Sequence, residues 1–343
     1  MTATLRDVAN AAGVHPGTAS RAMNPETEHL VNSTTARRVR KAAERLGYVP
    51  NPIARSLKTN RSRTIGAVIP DLTNPLFPPI IRGFEDVLGP AGNSVLIANT
   101  DNEPAREARQ VAELRARQAE GMVVATARVE DQVLEQLIAA GTPVVLVNRV
   151  GSRLAAPSVT GDDASGIRQA LDHLQALGHE RVAHIAGPQD TSTGVSRVRA
   201  FRSETEERGI ATDDAIVAAA AFSIDAGRRA MGQLLDTCHF TAVIAGNDLI
   251  AVGAYDELRE RGLRVPDDMS VVGFNDLPFV DRIAPPLTTV RLPHYEIGAE
   301  AGRLMLEALG QHADGGPKAP KSVLLPVDLV VRDSTGPCPR DGR

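Results

Sequence analysis

The sequence predicts an N-terminal all-α helix-turn-helix head followed by an α/β body of two doubly wound lobes, each built on a parallel sheet. Residues 4–46 contain three short helical segments separated by turn residues, which indicates the head. Beyond residue 63, short apolar runs alternate with amphipathic helical segments, the pattern of parallel sheets covered by helices. A length of 343 residues suggests about two or three folding units, and 42% hydrophobic but only 3% aromatic residues predict a large, mostly aliphatic core.

The first two helices of the head are marked by their capping residues. Thr4 can cap a helix that carries Asp7 in its first turn, and Gly13 supplies the left-handed position that ends this helix. The second helix starts at His15, with Pro16 at the first helical position, where a missing N–H group costs nothing. Two short helices joined by such a tight turn form a helix-turn-helix, whose second helix is of the kind that enters the major groove of DNA.

A third helix completes the head. Asn32 is its expected N-cap and Gly47 its C-terminal stop. An apolar stripe at helical spacing is predicted to be buried, and it consists of Val39, Ala42, Ala43 and Leu46. The other faces are basic, with Arg37, Arg38, Arg40, Lys41 and Arg45. Such a charge run is either a solvated surface or a phosphate-binding face, and its position after a helix-turn-helix favours phosphate contact.

Charge is distributed unevenly along the chain. The net charge of the whole sequence is −4, but residues 1–63 contain eleven basic and four acidic residues and so carry +7. The remaining 280 residues therefore carry −11. A basic head on an acidic body confines DNA affinity to the head, because phosphate repels the body.

Seven apolar runs in the body are predicted to be strands. The first lobe is assigned the runs 65–69, 94–98, 121–125 and 143–147, and the second lobe the runs 182–186, 242–245 and 270–273. Helices with one apolar face are predicted for residues 79–88 and 106–118. In doubly wound sheets ligands bind at the carboxyl ends of the strands, so a crevice is expected there.

The sequence argues against an enzyme, a metal protein and a membrane protein. The glycines of residues 246–253 have the wrong spacing for a dinucleotide fingerprint, and no His-Glu-x-x-His, Cys-x-x-Cys or nucleophile-elbow motif is present. No catalytic residue, cofactor or metal is predicted. Cys238 and Cys338 form no disulfide framework, and no run of residues is apolar enough for a signal peptide or a membrane span. We therefore expect a cytoplasmic protein.

Motifs spread over nearly the whole chain occur together in one known family. They are residues 4–9 (TLRDVA), 12–14 (AGV), 18–21 (TASR), 47–57 (GYVPNPIARSL), 64–75 (TIGAVIPDLTNP), 98–102 (ANTDN), 246–248 (GND), 272–276 (VGFND) and 286–290 (PLTTV). With these motifs in this order, the chain resembles the LacI/GalR (lactose/galactose repressor) family of bacterial transcription regulators over roughly residues 4–332.

The resemblance implies the architecture of a periplasmic-binding-protein-like body, with chain crossovers near residues 162, 291 and 323. The implied divisions are a helix-turn-helix head, a hinge helix with linker, an N-terminal lobe, a C-terminal lobe and a disordered tail. Their expected ranges are, in that order, 1–50, 51–61, 62–162 plus 292–322, 163–291 plus 323–333, and 334–343.

The resemblance also implies an effector site between the lobes. Arg197 takes the place of a ligand-gripping arginine and Asp276 that of its acidic partner, and these two groups could bridge adjacent sugar hydroxyls. The alternative for this pair is a structural ion pair. The other implied positions are Asn247 as a polar contact, Phe222 as a stacking wall or a core residue, Asn74 and Phe77 in the other lobe, and Asn148 where Asp is usual.

In the head, direct base reading is expected mainly from Arg21, whose guanidinium can bind guanine. Further contacts are expected from His15, Thr18 and Ser20. The chain departs from the family at Pro16 and Gly17, whose side chains cannot donate to a base edge, so more reliance on DNA shape is predicted. The resemblance implies a hinge that orders on DNA, with minor-groove contacts from Asn51, Ala54, Arg55 and the wedge Leu57.

These observations predict a transcription regulator, most simply a repressor, that binds a pseudo-palindromic operator as a homodimer. Its expected effector is a small sugar, polyol or nucleoside-like molecule. A dimer rather than a tetramer is expected, because residues 333–343 cannot form a heptad helix. Two alternatives stay open: a cytoplasmic solute-binding protein with a vestigial head, and a constitutive DNA-binding regulator whose pocket is unused.

Overall fold

The structure is a computed structural model that describes residues 3–24, 27–49, 61–210, 215–314 and 320–339. The chain divides into two compact units, one ending at Arg63 and the other beginning at Thr64. The first unit is the predicted helical head and the second is the predicted α/β body. The hinge residues Asn51, Ala54, Arg55 and Leu57 lie outside the described residues.

Among the described residues of the head there are three α-helices, and they are α1 (Leu5–Ala12), α2 (Pro16–Ala22) and α3 (Ser33–Leu46). A capping box starts α1: the Thr4 side chain accepts from the Asp7 backbone N–H, and the Asp7 carboxylate accepts from the Thr4 N–H at 2.9 Å. Gly13 ends α1 with a φ of 61°, in the left-handed region that glycine adopts without strain. The helix-turn-helix prediction is therefore confirmed.

The core of the head consists of small and β-branched side chains from all three helices. It contains Val8, Ala9, Ala12, Ala19, Ala22, Ala36, Val39, Ala42 and Ala43. The predicted stripe on α3 was wrong for Leu46, which is 38% exposed. After the turn at Gly47, the ring of Tyr48 packs against this core, and the Tyr48 N–H donates to the Ala43 carbonyl at 2.9 Å.

The first lobe of the body is a six-stranded sheet, all parallel, in the order β11-β5-β4-β3-β1-β2. Its strands are β1 (Thr64–Ile69), β2 (Ser94–Asn99), β3 (Gly121–Val124), β4 (Val144–Val147), β5 (Ser158–Gly161) and β11 (Ser322–Leu325). Its helices are α4 (Phe77–Leu88), α5 (Pro104–Ala116), α6 (Gln132–Ala139) and α11 (His294–Asp314).

The second lobe repeats this plan with the strand order β12-β10-β9-β8-β6-β7, in which only β12 runs antiparallel to its neighbour. Its strands are β6 (Val182–Ala186), β7 (Ile216–Ala218), β8 (Ala242–Ala245), β9 (Ser270–Asn275), β10 (Thr288–Arg291) and β12 (Asp328–Val330). Its helices are α7 (Asp163–Ala176), α8 (Ser192–Arg208), α9 (Ile224–Thr237) and α10 (Asp248–Glu260).

The chain crosses between the two sheets after Gly161, after Arg291 and after Leu325. The third crossing had been predicted near residue 323. It lies further on because β11 pairs with β5 along its whole length, with Val323 beside Val159 and Leu325 beside Gly161.

The expectation of a disordered tail over residues 334–343 was wrong for residues 334–339. Ser334 is fully buried, where its hydroxyl donates to the Val271 carbonyl at 2.6 Å and accepts from the Thr288 N–H at 2.8 Å. The Cys338 N–H donates to the Leu177 carbonyl at 2.8 Å. These polar residues are ordered because the second lobe satisfies their hydrogen-bonding groups. Residues 340–343 lie outside the described residues.

Two helices of the first lobe, α4 and α11, approach at backbone distance through glycines on both sides. A Cβ atom at Gly83 would overlap the Tyr295 carbonyl oxygen, and one at Gly298 would overlap the Ile80 carbonyl oxygen. Glycine at both positions therefore sets how closely these helices pack. Searching the described helices for a span apolar and long enough to cross a bilayer finds none.

Candidate functional site

The two lobes line a partly open cavity at the carboxyl ends of their strands, where ligands bind in doubly wound folds. The first lobe contributes Asn74, Leu76, Phe77, Asn148 and Arg149. The second lobe contributes Thr193, Arg197, Phe222, Asn247 and Asn275. A molecule bound there would contact both lobes at once.

Six of the seven effector positions implied by the sequence line this cavity, and they are Asn74, Phe77, Asn148, Arg197, Phe222 and Asn247. Phe222 also packs against buried core side chains, and its role as a stacking wall stays a prediction. Gly187 leaves room for the Phe222 ring, because a Cβ atom at position 187 would overlap it.

Asp276 does not line the cavity, which corrects the expectation that it faces a ligand beside Arg197. Its carboxylate accepts from Arg291 Nε and from an Arg332 Nη2, each at 2.6 Å. Asn275 and Asp276 have φ values of 120° and 58°, and this turn leaves the neighbouring Asn275 to line the cavity. The alternative of a structural Arg197–Asp276 ion pair is not found either.

Arg197 is buried and already bonded within its own lobe. Its Nε donates to Asp163 at 2.9 Å, and its Nη1 donates to the Gly246 carbonyl. The guanidinium carbon lies 3.7 Å from the ring centroid of Phe274, a cation–π distance. Asp163 at the start of α7, Gly246 after β8 and Phe274 in β9 thus fix the arginine from three elements.

Two asparagines of the lining are held by local backbone bonds. The Asn247 Oδ1 caps α10 by accepting from the Ile250 N–H at 2.9 Å. The Asn74 Oδ1 accepts from the Leu76 N–H at 3.0 Å. Each oxygen uses one of its two acceptor positions in this way, and the amide nitrogen of each side chain is a donor.

Arg149 also lines the cavity and was not among the sequence-predicted residues. It is 6% exposed, its Nε has no hydrogen-bond partner, and burial lowers its pKa to about 10. Its Nη1 donates to the Asn102 Oδ1 at the long distance of 3.4 Å, and the guanidinium carbon lies 5.5 Å from the Phe222 ring centroid. Its place directly after Asn148, at the end of an apolar run, is the sequence signal that could have identified it.

The head presents its predicted reading residues on and around α2. His15 is the N-cap, and its Nδ1 accepts from the Gly17 N–H at 3.1 Å, which replaces the usual serine cap. His15 and Arg21 are exposed, whereas Thr18 and Ser20 are half-buried. On α3, Arg37, Arg38 and Lys41 are exposed on the faces away from the core.

Comparisons with known proteins bear on both units. Residues 4–51 match the family described as bacterial regulatory proteins, lacI family, and residues 171–335 match the periplasmic binding protein-like domain. The HTH-type transcriptional repressor CytR of Escherichia coli (strain K12) is 35% identical over 340 residues, which cover 98% of this chain and 97% of that protein. The chain belongs to the lacI family.

Other lacI-family relatives match over the same length. The HTH-type transcriptional regulator DegA of Bacillus subtilis (strain 168) is 34% identical over 341 residues, covering 98% of this chain and 99% of DegA. A lac repressor dimer bound to operator and the anti-inducer ONPF superposes with a TM-score of 0.86 at 28% identity, covering 98% of this chain and all of that one.

A lacI-family transcriptional regulator from Enterococcus faecium, solved with bound ribose, superposes with a TM-score of 0.68 at 31% identity, covering 80% of this chain and 99% of that one. The members of the family are transcription regulators rather than enzymes. Within the ranges that the structure describes, no three His, Cys, Asp or Glu side chains cluster as metal ligands would.

One buried histidine near the site gives the body an expected acid sensitivity. His184 is fully buried in β6, its Nδ1 is 2.8 Å from the Ile244 carbonyl, and its ring stacks on Phe201. Burial lowers the pKa of His184 to about 4, below the value of 6.5 for a free side chain. The unfolded chain therefore takes up a proton at a higher pH than the folded one, and stability present above pH 6.5 is lost as the pH falls towards 4.

We expect His184→Phe to reduce the loss of stability at low pH, because phenylalanine keeps the ring stack and has no group that takes up a proton. Between pH 6.5 and 4, protonation of His184 should lower the free energy of unfolding by on the order of 3 kcal/mol. Urea unfolding at several pH values between 4 and 7 measures it. His239→Gln, at an exposed position, is the control and should keep the wild-type slope. Equal slopes for wild type and His184→Phe would contradict the prediction.

Proposed function

We propose that this chain is a homodimeric, operator-specific transcriptional repressor of the bacterial cytoplasm, with no enzymatic step, whose DNA affinity is set by a small effector. The observation that carries the proposal is one chain that holds a helix-turn-helix head and a cavity lined by both lobes of a doubly wound body. The relatives support both parts of the proposal. CytR is a transcriptional repressor, the lac repressor was solved on operator DNA, and the Enterococcus faecium regulator was solved with bound ribose. A sugar, polyol or nucleoside-like molecule is the effector class.

Ligand binding would couple to DNA through closure of the lobes. A ligand that contacts Asn148 in one lobe and Asn247 in the other favours the arrangement in which both contacts are made. It can shift the equilibrium only by its differential affinity for the two arrangements. In this proposal the shift acts on the hinge, where Asn51, Ala54, Arg55 and Leu57 contact the minor groove, and two heads read a pseudo-palindrome.

The test is selection of bound sequences from random duplex DNA, followed by titration of the best site with and without a panel of sugars, sugar acids, polyols and nucleosides. An enriched palindrome whose affinity changes with one of these compounds would establish the proposal. An enriched palindrome that responds to none of them would favour the constitutive regulator. A failure to enrich any sequence would favour the solute-binding protein.

Arg21→Ala should remove base discrimination. Arg21 is exposed on α2, and a bidentate contact to guanine contributes about 1–3 kcal/mol of discrimination, so operator affinity should fall roughly 5- to 150-fold for each head that makes this contact. Affinity for random DNA should change little. Arg37→Ala, at an exposed position on α3, is the matched control and should weaken both by a similar factor through loss of phosphate contact. Fluorescence anisotropy with operator and scrambled duplexes measures the ratio of the two affinities. If Arg21→Ala weakened binding to both duplexes by the same factor, Arg21 would contact phosphate rather than a base.

A further inference from the structure

The guanidinium of Arg149 is a buried charge that faces the cavity without a full set of partners. Its Nε lies in the interior and makes no hydrogen bond, and only Asn102 Oδ1 approaches Nη1, at the long distance of 3.4 Å. Buried charges in proteins are normally paired and hydrogen-bonded, because the loss of hydration is otherwise uncompensated. The side chain therefore lines the cavity with fewer hydrogen-bond partners than a buried guanidinium usually has.

The carboxylates of the surrounding shell are held by other arginines. Glu107 lies 3.0 Å from Arg128, which also lies 3.7 Å from Asp190. Asp163 is bonded to Arg197, as described above. The lining in the described part of the chain contains no aspartate or glutamate, and no carboxylate there lies within 4 Å of the Arg149 guanidinium nitrogens.

The other polar side chains of the lining are asparagines and a threonine, which carry both donors and acceptors. The amide oxygens of Asn74 and Asn247 are bonded to backbone N–H groups, which leaves their amide nitrogens for a ligand. Phe77, Leu76 and Phe222 supply apolar walls. A few polar groups among apolar walls are typical of a small-molecule site.

From this arrangement we propose that the cavity recognises a hydroxylated ligand through a carboxylate, as in a sugar acid, and that Arg149 is the residue that binds this group. The proposal rests on the proposed function in that it assigns the chemistry of the effector to the same cavity. The two Nη atoms of a planar guanidinium form a fork whose N–H groups donate to the two oxygens of a carboxylate. Asp190 and Glu107 attract the Arg149 guanidinium only at longer range, so no carboxylate of the described residues is in hydrogen-bond contact with it.

The first experiment compares matched ligands by isothermal titration calorimetry on the full chain. The probes are glucose, glucuronate and glucose 6-phosphate, the corresponding galactose set, and gluconate and galactonate. We expect at least one carboxylate to bind at least about tenfold more tightly than its neutral parent, since a close charge pair in a partly buried site supplies that difference. Neutral sugars binding equally well, phosphates alone binding, or no probe binding would overturn the proposal.

The second experiment supplies a carboxylate from the protein. Asn102→Asp is isosteric, places an acidic oxygen at the position now 3.4 Å from Arg149 Nη1, and lies outside the cavity lining. It should lower the affinity for the carboxylate probe about tenfold and raise the Tm of the ligand-free protein. Asn93→Asp adds the same charge just before β2, at the end of the strand opposite to Asn102. It should change neither the carboxylate affinity nor the Tm. Equal carboxylate affinity in both variants would overturn the assignment of Arg149.

The two proposals can fail separately. Operator binding by wild type is measured on its own with the selected duplex. Tight carboxylate binding without any operator binding would support the sugar-acid site and remove the repressor proposal. Operator binding that responds only to neutral sugars would support the repressor proposal and remove the sugar-acid site.

Discussion

Gly298→Ala should lower the free energy of unfolding of the body by about 3 kcal/mol or more, at the upper end of what overpacking costs. An alanine Cβ at this position would overlap the Ile80 carbonyl oxygen and lie 2.8 Å from the Ile80 carbonyl carbon. The obstacle is backbone rather than a movable side chain, so α4 and α11 would have to separate. Gly83→Ala should have a comparable effect, because its Cβ would overlap the Tyr295 carbonyl oxygen from the opposite helix.

Gly310→Ala is the control for this prediction. It lies in the same helix, α11, but a Cβ atom at position 310 would have no neighbour within 4 Å. Helix propensity alone then applies, and alanine should stabilise the protein by roughly 0.5–1 kcal/mol. Chemical denaturation followed by circular dichroism compares the variants. Equal stability of Gly298→Ala and Gly310→Ala would mean that the two helices lie further apart than described.

The longer elements of the fold could be predicted because their signals are local. The capping box of Thr4 and Asp7, the left-handed Gly13 and the apolar runs of β1 and β6 are each visible in a few consecutive residues. Short strands were missed for the opposite reason. β5 and β10 have four residues each and contain buried threonine or serine, so their pairing depends on neighbours distant in sequence.

The candidate site was predictable in its positions but not in its bonds. Family resemblance indicated most of the lining, since it maps residues by motif. It could not show that Asp276 is held by Arg291 and Arg332, which come from later segments of the chain. The order of residues 334–339 was missed in the same way, because a Ser-, Gly- and Pro-rich sequence indicates disorder until distant partners for its polar groups are known.

Replacing Arg197 tests whether this residue holds the second lobe together or mainly grips the ligand. Its guanidinium is bonded to Asp163, to the Gly246 carbonyl and against Phe274 before any ligand arrives. Arg197→Met keeps much of the volume but leaves the Asp163 carboxylate, only 13% exposed, without its cation. Removing one partner of a buried pair costs about 3–5 kcal/mol, so the ligand-free protein should unfold at a much lower denaturant concentration.

A double-mutant cycle separates the two roles of Arg197. Asp163→Asn in the Arg197→Met background should recover part of the lost stability, because the uncompensated charge is removed. Arg168→Met is the matched control. Its partner Glu204 lies at a similar 2.9 Å but Arg168 is 54% exposed, so its loss should cost only about 0–1 kcal/mol. If Arg197→Met instead kept wild-type stability and lost only ligand affinity, Arg197 would be the gripping residue, and the assignment of that role to Arg149 would have to be shared.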